Sequence, residues 1–360
     1  MKLLFDCRYV RIDRHDGISR YSAELVRALA ELHPVTMLVS DERQLPMLPA
    51  LPFELIGAPT SPAEPLIALQ INRLRPDVVV SPMQTMGSLG RRYGLILTIH
   101  DLIYYEHPKP PQFLPWYVRV LWRLYHLSFW PQRLLLKGAD QVAVVSATTR
   151  ELLRRERLTT RPIPLVPNAP DPAFASAPRE APPKEPNLVY MGSFMPYKNV
   201  ETLARAMREL PGWRLHLCSK ADARTLAALV ALAPEGSIVA HQGVSDEEYR
   251  ALLRGATALV TASKSEGFGL PLVEAMSAGT PILVSDTPIF REVGGAAAGY
   301  FPADDAGLLA TMARRLQNDT EAWTAASTAG VRRAAEYSWE RSAAELLEAC
   351  RLVARRRAGA

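Results

Sequence analysis

Two glutamates, Glu266 and Glu274, flank a loop that carries Gly267, Phe268, Gly269 and Leu270. An apolar run, Ala258 to Thr261, leads into this loop, and a helical pattern from Leu272 to Ala278 leads out of it. Glycines at a strand-to-helix turn let backbone come close to a ligand, and the free N–H groups and dipole at the helix start favour negative charge. The stretch reads as a phosphate or nucleotide cradle. Glu266 sits on the loop, where a carboxylate meets a hydroxyl-rich ligand, and Glu274 falls in the first turns of the helix with its head able to face the same cleft. The theme recurs. Gly17, in Gly17-Ile18-Ser19-Arg20-Tyr21, opens a helix after the first strand. Lys198 ends the loop that begins at Gly192-Ser193, beside another helix start, where an ammonium can clamp a diphosphate and hold leaving-group charge. His100 and Asp101 end a buried apolar strand, Leu95 to Ile99, and open α/β sheets gather their ligand groups at such carboxyl ends. Spacing alone leaves alternatives open. His100 and Asp101 equally form a structural couple in which the carboxylate orients the imidazole. Lys198 alone is equally an exposed lysine, and Arg20 either meets phosphate or acceptor or is a first-turn surface arginine.

The elements that must carry these groups follow from the rest of the chain. With 360 residues, 48% hydrophobic and 22% charged, there is material for two cores and hence two domains. No apolar run reaches the roughly 18 residues of a spanning helix, and the apolar start at Met1 to Phe5 is too short for a signal peptide and reads as a first strand. Cys7, Cys218 and Cys350 lack the spacing of a zinc site or a disulfide framework and suit buried positions in a reducing compartment, so a cytoplasmic location is expected. The net charge of +5 favours phosphate-bearing or anionic-membrane partners, while the absence of a reader motif argues against nucleic acid.

Strand and helix patterns alternate through both halves, the signature of parallel α/β sheets. The expected organisation is a domain over 1–172, a proline-rich linker over 173–186, a second domain over 187–338 and a final helical segment over 339–360. From Trp116 to Lys137 there are six aromatic residues and four lysines and arginines, and no acidic residue lies between Pro108 and Lys137. Such a segment either lies in an anionic membrane interface, here through 113–137, or packs on the sheet with its arginines outward.

The run from Glu266 to Asp286, E-G-F-G-L-P-L-V-E-A-M-S-A-G-T-P-I-L-V-S-D, resembles the signature of the family-4 retaining glycosyltransferases. The likeness extends from Gly17 to the last helix. It includes Pro167-Asn168-Ala169-Pro170-Asp171, similar to the family's hinge with alanine in place of glycine. The resemblance implies two Rossmann-like parallel-sheet domains facing across a cleft (GT-B), with the final helix crossing back to the first. It implies transfer of a hexose from a nucleotide sugar to an acceptor hydroxyl with retention and without a metal. His100 and Glu266 would act at the reacting centre, without Glu266 being a nucleophile, and the leaving phosphate itself can take the acceptor proton. Gly17, Ser193, Lys198 and the backbone from Gly267 through Phe268 and Gly269 to Leu270 would hold the donor's phosphates and sugar. Glu274 would hold the ribose and Val244 the base, while Arg20 and Asp101 would face the acceptor. Ser193 and Tyr197 stand where relatives often carry arginine, which removes a second cationic phosphate contact. The G-I-S-R-Y turn resembles the branch of bacterial surface-polysaccharide mannosyltransferases. It implies GDP-mannose as donor, with a UDP-hexose second, and a glycan or polyprenyl-linked glycan acceptor at the inner membrane face in lipopolysaccharide or other surface-polysaccharide synthesis. A nucleotide-sugar epimerase of the same fold and a non-catalytic nucleotide-sugar-binding relative are the alternatives from other classes.

Overall fold

The computed structural model describes residues 1–108 and 115–359. The chain divides into two compact units, one formed by Met1–Asn168 with the segment from Ser338 onward, the other by Ala169–Tyr337.

The first unit is built on β1 (Leu3–Asp6), β2 (Val35–Val39), β3 (Phe53–Leu55), β4 (Val78–Ser81), β5 (Gly94–Ile99) and β6 (Gln141–Val144), in the order β3-β2-β1-β4-β5-β6 with every pair parallel. The inner strands are mostly apolar and buried along their whole length, as parallel strands covered on both faces are. The second unit holds β7 (Asn187–Tyr190), β8 (Arg214–Leu217), β9 (Ile238–Ala240), β10 (Ala258–Thr261), β11 (Ile282–Ser285) and β12 (Ala298–Phe301), in the order β12-β11-β10-β7-β8-β9, also parallel throughout. Counted from the first strand of each unit, both sheets read 3-2-1-4-5-6. The order reverses between β1 and β4 and between β7 and β10, and doubly wound sheets bind ligands outside the carboxyl ends of the strands at these reversals. Both sheets thus have the Rossmann-like form the sequence implied.

Several local expectations shift. The apolar run Ile163 to Val166 reads from its sequence as a strand, but it makes only an isolated bridge between Leu165 and Val144. Pro162 and Pro164 have no N–H to give and contribute only carbonyls to Val142 and Val144. Strand β12 carries a glycine at its second position, Gly299. Its glycine fits because a Cβ there would meet the side chains of Leu283 and Met312 at 2.6 and 2.7 Å. The proline-rich stretch read as a linker is part of the second unit. Ser176 N–H donates to Ser277 O (3.0 Å), Arg179 N–H to Ser327 Oγ (2.9 Å), and Pro183 O accepts from Gln317 Nε2 (2.7 Å).

The Trp339–Ala358 helix, N-capped by Ser338, packs in the first unit against the Gly17–Leu32 helix and β5. Trp339 meets Tyr21 edge to face at 5.9 Å, and Ser342 Oγ donates to Pro167 O (2.8 Å). Gly94 is glycine because a Cβ there would lie 2.3 Å from Val353 of this helix. The segment from Pro108 to Lys137 forms the helices Trp116–His126 and Trp130–Lys137, and of it residues 109–114 lie outside the described residues. No helix among the described residues is long and apolar enough to cross a membrane.

Candidate functional site

In the second unit, the reversal between β7 and β10 brings two loops together. Beyond β7, Pro196–Lys198 forms a tight helical turn, and Asn199 sits in the left-handed region at φ 52°. Asn199 tolerates this because its amide is occupied, Nδ2 donating to Ala303 O (2.7 Å) and to Asp304 Oδ1 (3.0 Å). Beyond β10, Lys264 N–H donates to Tyr197 O (2.7 Å), tying one loop to the other. Ser263, fully buried, donates to Ser265 O (3.0 Å), and its carbonyl accepts from Ser285 Oγ (2.5 Å). The chain is therefore pinned on both sides of the cradle. The pinning sets Lys198 Nζ against Glu266 Oε1 in an ion pair in which both side chains are largely shielded. The ammonium also lies over the Tyr197 ring, 5.4 Å from its centroid. Tyr197, standing where a second cation was expected, thus serves the first one.

Gly269 caps the Leu270–Ser277 helix in the left-handed region at φ 93°. Pro271 follows in the first turn, where a missing N–H costs nothing, so the remaining N–H groups open toward the loop. Glu274 is buried in this helix at 4% exposure. Phe268 is buried with its ring edge-on to Tyr337 at 5.3 Å, which leaves its backbone rather than its side chain for a ligand. Ser193 is exposed and receives the Tyr190 hydroxyl on its carbonyl (2.6 Å). Val244 follows Gly243 beyond the edge strand β9, three strand positions from β10. Lys198, Glu266, Gly267, Gly269 and Glu274 are gathered at the reversal, and Val244 stands apart from them along the sheet.

A Cβ at Gly269 would meet Phe290 at 3.1 Å in addition to the unfavourable φ, so Gly269→Ala is expected to cost about 1–2 kcal/mol in denaturant unfolding. Gly17, the exposed first residue of its helix, has nothing within 4 Å of such a Cβ. Gly17→Ala is expected to stay within about 0.5 kcal/mol of the native stability. A fall in donor affinity for that variant would then report a ligand lying against Gly17.

In the first unit, Asp16 caps the Gly17–Leu32 helix, its carboxylate accepting from Ser19 N–H (2.9 Å). Arg20 is buried in the first turn, not a surface arginine. His100 lies at the end of β5, its Nε2 2.8 Å from Pro82 O at the end of β4, its ring edge-on to Tyr21 at 4.8 Å. A carbonyl only accepts, so Nε2 carries the proton and, in the neutral ring, Nδ1 is an acceptor. The partner that receives the Nε2 proton is this carbonyl and not Asp101, whose Oδ1 accepts from Ile103 N–H (3.1 Å).

Burial lowers the His100 pKa from 6.5 to about 4, with the Pro82 hydrogen bond and Asp16 opposing. His100 is thus neutral near pH 7 and is no proton donor there. The unfolded chain takes up a proton near pH 6.5 that the folded ring refuses until about pH 4. This group therefore removes stability as the pH falls from about 6.5 to 4 and contributes nothing above. His216, likewise lowered to about 4 by burial and by His241 and Arg214, acts in the same direction. His100→Gln is expected to flatten part of the decline in melting temperature across that window, which thermal melts at stepped pH will read.

One group at the β1–β4 reversal was not singled out from the sequence. Arg8 is buried and grips Asp6 through Nε (2.8 Å) and Nη2 (3.1 Å), Glu64 through Nη1 (2.7 Å) and Nη2 (2.9 Å), and Gly57 O through Nη1 (2.9 Å). Ser81 Oγ adds a hydrogen bond to Asp6 Oδ2 (3.0 Å). Gln44 fastens the same loop, its Nε2 donating to the carbonyls of Arg8 (3.1 Å) and Val10 (2.5 Å). The signal present in the sequence was an acidic residue closing a buried strand, with an arginine two positions on. Gly17, Arg20, His100 and Asp101 belong to the first unit and the other candidates to the second.

Comparison with known proteins agrees with both halves. Residues 15–174 match the family model described as Glycosyltransferase Family 4, and residues 173–324 match that of Glycosyl transferases group 1. An MMP alpha-(1->4)-mannosyltransferase of Mycolicibacterium hassiacum is 28% identical over 264 residues, 70% of this chain and 64% of that protein. An O-antigen chain mannosyltransferase B of Escherichia coli is 30% identical over 183 residues, 46% of this chain and 45% of its own. A GDP-mannose:cellobiosyl-diphosphopolyprenol alpha-mannosyltransferase of Xanthomonas oryzae is 35% identical over 111 residues, 29% of each chain. The chain thus spans less than two thirds of the length of these curated relatives. Among solved structures, a sucrose-phosphate synthase of Thermosynechococcus elongatus superposes with a TM-score of 0.78 at 19% identity over 98% of both chains. With family models matched end to end over residues 15–324 and two parallel sheets of the same strand order, the chain belongs to the family-4 glycosyltransferases of the GT-B fold.

Proposed function

We propose that this protein is a retaining hexosyltransferase that moves mannose from GDP-mannose to a hydroxyl of a glycan, carried on a lipid, in surface-polysaccharide or glycolipid synthesis. The observation that carries the reading is the Lys198–Glu266 pair on the loops beyond β7 and β10, with Gly269 opening a helix that buries Glu274. The mannosyltransferase relatives favour the sugar. The GDP-mannose:cellobiosyl-diphosphopolyprenol alpha-mannosyltransferase of Xanthomonas oryzae favours the nucleotide and a polyprenyl-linked acceptor.

In this reading the donor diphosphate lies against the Lys198 ammonium and the N–H groups that open from Gly269, and Gly17 is assigned to the donor as the family resemblance implies. Lys198 exchanges Glu266 for phosphate, and Glu266 is released to accept hydrogen bonds from sugar hydroxyls. Glu274 takes the ribose hydroxyls. The bond between the anomeric carbon and the phosphate oxygen breaks with its electron pair going to phosphate. The acceptor oxygen bonds to the anomeric carbon on the same face, and its proton passes to the departing phosphate. Neutral His100 accepts a hydrogen bond from the sugar at Nδ1 and leaves the cationic transition state unopposed by a second positive charge. Arg20 and Asp101 are assigned to the acceptor side, and Ser193 and Val244 to the donor's phosphate and base. No metal is assigned, because Lys198 and the helix N-termini supply the positive potential the leaving group needs.

Calorimetric titration with GDP, UDP and dTDP, each with and without EDTA, tests this. Tight GDP binding that ignores EDTA is expected. A preference for UDP would keep the chemistry and replace the donor with a UDP-hexose. Binding lost with EDTA would overturn the metal-free reading, and no binding of any of the three would favour a non-catalytic relative. Turnover of donor without acceptor would favour an epimerase.

A further inference from the structure

We infer that the Trp116–His126 and Trp130–Lys137 helices form a docking face for an anionic lipid bilayer. Sequence left two readings for this segment, and the side-chain arrangement favours one. In the Trp116–His126 helix no residue is buried. Its inward side is held by an aromatic stack: Trp122 lies against His126 at 3.9 Å and against Tyr104 at 4.9 Å, and His126 against Tyr105 at 4.9 Å. The helix is fixed through polarisable rings, and the apolar side chains face outward. Trp116, Tyr117, Leu121, Leu124, Leu127 and Trp130 are all more than half exposed, Trp116 and Leu127 to 76%. A helix packed on a sheet with its arginines outward would show the reverse. Large apolar side chains contiguous along one helix face mark an interaction surface.

The chemistry of the surround selects the occupant. From Pro108 to Lys137 the sequence has no carboxylate. Arg123 and Lys137 are exposed, and so are Arg157 and Arg161 of the loop that follows the Ala147–Arg155 helix. Arg161 Nη2 reaches Lys137 O (3.5 Å) and Arg133 Nη2 reaches Glu156 O (2.7 Å), which holds these cations along the margin of the apolar face. Tryptophan and tyrosine at the ends of an apolar face, with lysine and arginine beside it, match a headgroup interface: rings at the boundary, leucines in the acyl region, cations on phosphates. The inference extends the lipid-linked-acceptor reading, but its test involves no transfer step, so the two can fail separately.

The test is co-sedimentation of the full chain with vesicles of phosphatidylcholine alone and with about 30% phosphatidylglycerol added. Binding is expected only to the anionic vesicles, and it should fall as salt rises. Arg123→Glu with Lys137→Glu should weaken partition at least about tenfold. Leu121→Ser with Leu124→Ser and Leu127→Ser should weaken it comparably. Circular dichroism checks the fold, and if the triple serine variant loses helix, the charge pair carries the test by itself. The proposal is overturned if the native chain ignores anionic vesicles, if it binds neutral vesicles equally, or if the charge-pair variant binds as the native chain does. It is also overturned if light scattering shows a dimer that the serine variant converts to monomer, which would make the face a contact between copies.

Discussion

Replacing Lys198 with alanine is expected to lower sugar transfer by about 10²–10³-fold, chiefly in kcat, while the fold survives. The ammonium is the cation seated at the β7–β10 reversal, shielded from water between the Glu266 carboxylate and the Tyr197 ring. Positive charge placed where negative charge develops acts in the transition state more than in the ground state, so the loss falls on the chemical step. Lys198→Arg should restore part of the rate. Glu266→Gln separates the two partners of the pair. It removes the carboxylate that competes with phosphate, so nucleoside diphosphate should bind at least as tightly as in the native protein while transfer falls. Steady-state kinetics with titration of the product nucleotide checks both. Transfer by Lys198→Ala within threefold of native would remove Lys198 from the leaving-group site.

The second large effect is on stability. Arg8→Ala is expected to cost about 3–5 kcal/mol, since it leaves the Asp6 and Glu64 carboxylates facing each other without a cation. For a unit of this size that is roughly a 6–20 °C fall in melting temperature. The same logic separates two kinds of replacement. Removing one member exposes the uncompensated charge of the rest, whereas Asp6→Leu with Arg8→Met and Glu64→Leu removes all of it and is expected to recover much of the loss. Scanning calorimetry reads both. A loss below about 1 kcal/mol for Arg8→Ala would mean that water reaches the two carboxylates.

How far the molecule was legible follows from the range of the forces involved. The cradle from Ser263 to Glu274 was readable because its parts are local: a buried strand, glycine at the turn, a helix start and two carboxylates within one short run. The same holds for the apolar strand that ends at His100 and for the strand, loop and helix start that frame Lys198. The Arg8 network was not readable, because Glu64 lies 56 residues away on a proline-rich stretch that offered no periodicity. The strand expected at Ile163 to Val166 failed because apolar content was weighed above the donors that two prolines lack. The Trp116–His126 helix was recognised as basic and aromatic, but apolar residues recur on both of its sides. Which side turns inward was decided by the rings of Tyr104 and Tyr105, which lie outside that helix.

The first unit draws on both ends of the chain, since the Trp339–Ala358 helix covers Tyr21 and β5 within a unit that otherwise ends at Asn168. The second unit is continuous in sequence. On the ribosome, therefore, the half synthesised first is the half that must wait. Its sheet can form early, but the surface around Tyr21 and Gly94 stays uncovered until the Trp339–Ala358 helix emerges, after the whole of the second unit. Completion runs against the direction of synthesis, and the Trp339–Ala358 helix closes a structure begun at β1.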